Sequence, residues 1–107
     1  MQKSLFVIQT RIAASPSNPD PAARMTDGGS AHGLVFSTTA REATVEFIRH
    51  LRTNGWSTER LVLCQQTHPE RAIGHPPLER LLAEAMQHGV ASEVVGAAFR
   101  EDPGQAM

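Results

Sequence analysis

The stretch "TAREATVEFIRHLRTNGW", residues 39–56, constrains the fold more than any other part of the chain. Ala40, Ala43, Phe47, Ile48 and Leu51 recur at spacings of three and four, so they form one apolar stripe along a helix. Thr39 with Glu42 three residues later has the form of a capping box. At the other end Gly55 suits the left-handed position after the last turn, with Trp56 folding back on Leu51. A helix specified at both ends has a single stripe to bury. It must therefore lie on another layer of structure, and its neighbours in the chain must supply that layer.

Four short apolar runs are candidates for the layer: Leu5–Ile8, Leu34–Phe36, Leu61–Cys64 and Val94–Phe99. They are continuous rather than alternating, which suits strands covered on both faces. A second amphipathic helix carries Leu78, Leu81, Leu82 and Ala85, with Pro77 in its first turn and Gly89 at its end. The element order is strand, long connector, strand, helix, strand, helix, strand. This predicts an α/β fold, or a two-layer α+β fold, with a small four-stranded sheet, mainly parallel or mixed, and two main helices. Crossover connections between parallel strands are right-handed in about 98 % of cases. Winding in one direction would put both helices on one face and leave the other face bare. The bare face is expected to meet the long connector, solvent or a second copy, so a homodimer is expected.

The chain has 107 residues, enough for one domain with one core. The reading assigns residues 1–102 to a single domain, with a mobile loop over 13–33 and a disordered tail over 103–107. Within the loop, Asp20-Pro21-Ala22-Ala23-Arg24-Met25 has the makings of a short helix, an acid before a proline and then helix formers. That helix would serve as the crossover between the first two strands. Met25 is the loop's one evident anchor to the core. Residues 21–33, "PAARMTDGGSAHG", resemble by letter the signature of PAAR-repeat proteins, the spike-tip proteins of type VI secretion. Those domains are built from strands with repeated Gly–Asp-rich turns. One copy of the letters beside two capped helices carries no function over.

Net charge is −1, and nine of the ten basic residues are arginine. This balance predicts no attraction to nucleic acid or to an anionic membrane. No apolar run approaches the ~20 residues of a membrane span. Near the N-terminus, the four apolar residues Leu5–Ile8 fall short of the roughly seven of a secretory leader. Cys64 is the single cysteine, so packing and not a disulfide within the chain must hold the fold. The expected location is cytoplasmic.

Candidate chemistry gathers where strands end. In parallel sheets, ligands sit beyond the carboxyl ends of strands. Here those ends read Ser37-Thr38-Thr39 and Gln65-Gln66-Thr67-His68. Free amides at the start of the first helix favour an anion. A small anionic ligand is therefore one expectation, held by Ser37, Thr38 and Thr39 with Gln66 and His68 opposite. The plainer alternative is that the threonines cap the helix and the glutamine is surface. Neither a dinucleotide fingerprint nor a phosphate-binding loop is present. Cys64, His68 and His75 lack the paired close spacing of a zinc site, so no metal and no cofactor are expected. Cys64 near His68 is the one local nucleophile–base pair, but a thiol inside an apolar run is inert when buried. Arg49, His50 and Arg52 read as a solvated helix face paired with Glu46. The leading functional expectation is a small non-enzymatic interaction or regulatory protein, acting as a homodimer or on another protein; the alternative is a small-ligand binder or an enzyme with its pocket at Ser37–Thr39 and Gln65–His68.

Overall fold

The structure, a computed structural model, describes residues 2–24 and 28–95. Its elements are β1 (Ser4–Ala14), α1 (Pro21–Arg24), β2 (Gly29–Ser37), α2 (Ala40–Thr53), β3 (Trp56–Thr67), a 3-10 turn (Pro69–Ala72), α3 (Pro76–His88) and β4 (Val90–Val95). Four strands and two main helices are present, as the sequence predicts, but the last strand begins at Val90, directly after α3, and not at Val94. Residues 96–99 of the last apolar run, Met25 and the tail 103–107 lie outside the described residues. No helix among the described residues is long and apolar enough to cross a membrane.

The sheet corrects the expected topology. Its spatial order is β3-β1-β2-β4, and every pair is antiparallel. The connector between β1 and β2 makes no crossover. It brings the chain back so that Ser4 faces Ser37 and Ile12 faces Gly29. The connector covers 15–28, because regular strand runs to Ala14 and resumes at Gly29. β3 then joins the free edge of β1, so β2 and β3 run parallel to each other with β1 between them.

The second helical connection behaves differently. Thr67 lies opposite Leu5, Leu5 opposite Phe36, and Val90 opposite Val35, so β3 ends and β4 begins at the same end of the sheet. A 13-residue helix is about 20 Å long. Three strand spacings amount to about 14 Å. The 3-10 turn and α3 together carry the chain from one edge to the other, with α3 itself on β2 and β4, and the strand after it runs antiparallel to β3. Sequence periodicity gives the length of a helix but not the direction in which it crosses.

The helices also lie on opposite faces, not on one. Phe6, Ile8 and Ile12 of β1 with Ala31 and Val35 of β2 pack against Ala43, Phe47 and Leu51 of α2. The alternate residues Leu5 of β1 and Leu34 of β2, with Ala91 of β4, pack against Leu81 and Ala85 of α3. The apolar run of β2 is thus covered on both faces, and that of β1 on the α2 face, with Leu5 buried and Val7 only partly buried on the other.

Local signals explain the helix ends. Thr39 Oγ1 accepts from Glu42 N at 3.1 Å, while the Glu42 carboxylate accepts from the Thr38 hydroxyl rather than closing the capping box. Gly55 takes φ +87° and donates its N–H to Arg52 O at 3.0 Å. The same glycine holds the start of the long connector. Its carbonyl accepts from Ser15 N at 2.9 Å, Ser15 Oγ at 3.0 Å and Asn18 Nδ2 at 2.8 Å. Asn18 is 3 % exposed and also accepts from Asp20 N at 2.9 Å, which leads into α1. Among the described residues the anchor of this connector is therefore Asn18.

One glycine sets the helix–sheet distance. A Cβ at Gly33 would fall on the Ala91 carbonyl oxygen and within 2.7 Å of Phe47 Cε1. Gly33→Ala is expected to destabilise the fold by roughly 1–3 kcal/mol, the cost of overpacking that forces backbone shifts. Chemical denaturation would read this as a lower midpoint with an unchanged slope. Thr10 gives a change of opposite sign. Its side chain is fully buried and its Oγ1 has no hydrogen-bond partner. Thr10→Val removes that desolvated hydroxyl at nearly constant shape and should raise stability by about 1 kcal/mol in the same experiment.

Candidate functional site

The two helices cover the sheet unequally. α2 lies over β1, β2 and β3, and the Cys64 thiol of β3 donates to Ala40 O at 3.6 Å. α3 lies over β2 and β4. Among the described residues, no helix covers the half of that second face belonging to β1 and β3. It carries Val7 and Gln9 of β1, partly buried, with Leu63 opposite Gln9 and Gln65 opposite Val7, both exposed.

Two adjoining concavities lie where this open half meets α3. The first has a volume of about 190 Å³ and is walled by the aliphatic side chains of Leu5, Val7, Leu34, Ala72 and Leu78. Thr67, His68 and Arg71 complete its lining. The second, about 200 Å³, shares Val7 and Leu78 with the first and continues past Leu81 and Leu63 to Gln9 and His32. Together they make a trough along β1. At its far end His32 Nε2 lies 3.3 Å from Glu93 Oε2, and Arg80 of α3 reaches the other oxygen at 3.5 Å.

The expected anion site is divided. The ends of β2 and β3 do share one end of the sheet, on either side of β1. His68 lines the trough on the α3 face. Gln66 pairs with Phe6, and its side chain is exposed. Ser37 is 2 % exposed. Thr38 and Thr39 spend their hydroxyls on Glu42, whose carboxylate occupies the start of α2. Thr39 borders a separate shallow concavity with Arg41, Val45 and Arg49 of α2. The five residues therefore do not converge on one ligand position.

Cys64 and His68 are likewise separated, since Cys64 packs in the α2 layer and His68 lines a cavity in the α3 layer. No three of His, Cys, Asp and Glu gather into a metal-binding group among the described residues. The sequence reading missed Arg71 and the aliphatic walls of the trough. Pro69 is the available signal for Arg71: it opens a single 3-10 turn after β3, which turns Arg71 back beside His68. Compared with known proteins, the chain matches no family model, no curated protein and no solved structure.

The outer edge of β3 has its own character. Val62 and Glu59 have no partner on β1 and mark two bulges. Leu61, Val62 and Leu63 are 44 %, 47 % and 39 % exposed. Other large exposed aliphatics, Val45, Ile73 and Met86, stand singly, as is normal on a protein surface. Three in a row on a sheet edge are not of that kind.

On α2, His50 is the one group among the described residues with a resolved shift. Burial pushes its pKa below the ordinary 6.5, and the Glu84 carboxylate pulls it partly back. Glu46, Arg49, Thr53 and Val90 share its concavity. A base with a lowered folded-state pKa binds fewer protons folded than unfolded, so stability rises with pH across the window just below 6.5 and is complete above it. Melting temperature should therefore fall on acidification from pH 6.5, and His50→Gln should flatten that fall. Equal slopes in the two proteins would remove His50 as the cause.

Proposed function

We propose that this protein works by binding rather than by catalysis, and that it self-associates through the outer edge of β3. The observation that supports this most directly is the exposure of Leu61, Val62 and Leu63 on a strand edge that has no partner among the described residues. Natural edge strands are kept from pairing by charges, bulges and short length. β3 is 12 residues long, and its charges stop at Glu59 and Arg60. From Leu61 to Thr67 the strand is uncharged, and past the bulge at Val62 it runs in regular register from Leu63 to Thr67, so an antiparallel copy meets no like charge there.

β4, at the other edge, is six residues long and carries Glu93, held by His32 and Arg80. The two edges therefore invite pairing unequally. A two-fold axis beside β3 would join the two sheets into one of eight strands, with both copies of α2 on the same side.

Light scattering on an eluting size-exclusion peak tests this. The expected mass is twice the 11.6 kDa of the chain. Val62→Lys should reduce it to the single-chain mass while circular dichroism stays unchanged, because Val62 is not part of either core cluster. A wild-type protein at the single-chain mass over a hundredfold concentration range would overturn the proposal.

A further inference from the structure

We infer that the trough beside α3 is a binding site for a small aliphatic carboxylic acid. The first concavity has five aliphatic side chains for an apolar body. One end of it carries the permanent cation Arg71 beside His68, and among the described residues no carboxylate belongs to its lining. Neither side chain has an ion-pair partner among the described residues. Elsewhere on this face a cation is already matched, since Arg80 reaches Glu93.

The charge pattern selects the ligand class. A neutral hydrocarbon would leave Arg71 unused, and a hydrophilic anion would leave the aliphatic walls wet. A carboxylate on an alkyl chain satisfies both, because a guanidinium presents a planar fork that fits a carboxylate. Size points the same way. A dry apolar cavity of roughly 150 Å³ suffices for a benzene-sized ligand, and ordinary ligand pockets run from about 300 Å³. The first concavity alone fits a short acyl chain, and its continuation past Val7 and Leu78 extends the reach towards Leu63. Burying the chain supplies about 0.8 kcal/mol per methylene, so affinity should climb along a homologous series until the trough is filled.

This site is independent of β3 self-association, because Val62 and Leu61 lie outside its lining. Calorimetric titration of the full chain with octanoate, below its micelle threshold, tests the inference beside two control probes, octanol and acetate. Octanoate should bind saturably, octanol at least tenfold more weakly, and acetate not at all. Arg71→Gln should lower octanoate affinity by about ten- to a hundredfold, the range for losing a charged hydrogen-bond partner. Ala72→Phe fills the cavity from its buried wall (Ala72 is 6 % exposed) and should abolish binding with the melting temperature retained.

If Ala72→Phe fails to fold, Leu78→Asp, on a partly buried wall of both concavities, replaces it. Val62→Lys should bind octanoate as the wild type does, whatever its oligomeric state. Absence of octanoate binding, equal binding of octanol, or binding indifferent to both Arg71→Gln and the wall substitution would each overturn the assignment.

Discussion

The architecture depends on how closely α2 can approach β2, and Gly33 sets that distance. Phe47 is fully buried with its ring against the sheet at Gly33, where β2 offers no side chain. The neighbours of Gly33 on the same face are Ala31, Val35 and Ser37, all small or β-branched. With a larger residue at 33 the helix would ride higher, and Ala43 and Leu51, one turn to either side of Phe47, would lose contact with Ile8 and Ile12. Truncating a buried phenylalanine costs about 3–5 kcal/mol, a large part of the 5–15 kcal/mol that holds a small domain together.

Once α2 is seated, the rest of the sheet follows. Its C-terminal turn delivers the chain to the free edge of β1, and the Gly55 carbonyl in that turn takes hydrogen bonds from Ser15 and Asn18 of the long connector. A single turn thus fixes the entry to β3 and the exit from β1. The 3-10 turn and α3 then have to cross the opposite face, because α2 already occupies the first. One helix per face leaves four strands incompletely covered. The uncovered portion lies where α3 begins, over β1 and β3, and that is where the trough forms.

Much of this was legible in the residues, and the failures have specific causes. The caps at Thr39 and Gly55 and the Pro77–Gly89 helix are local signals, and local signals survive folding. Strand direction is not local. It depended on whether α3 returns to the same end of the sheet, which the periodicity of Leu78, Leu81 and Ala85 does not encode. The run Leu61–Cys64 misled for a different reason. A continuous apolar run reads as a strand covered on both faces, yet this one lies at an edge with three exposed side chains. Its flanks, Glu59-Arg60 before and Gln65-Gln66 after, were the warning. The candidate anion site failed in part because threonine before a helix serves the helix first: Thr38 and Thr39 both bond Glu42. His68 was legible as a site residue by its place at a strand end, whereas Arg71 needed the turn at Pro69 to be known.

The exposed edge and the trough have one physical origin, and their separation in space matters. Leu63 is the residue common to both, lining the second concavity while sitting in the exposed run. Leu61 and Val62 lie outside the lining of both concavities. Pairing along the edge therefore uses side chains that a ligand in the trough leaves untouched, and the one shared residue, Leu63, can serve as a wall of the trough in either the single or the paired chain. Each site can be removed by substitution without the other, Val62 for the edge and Arg71 for the trough.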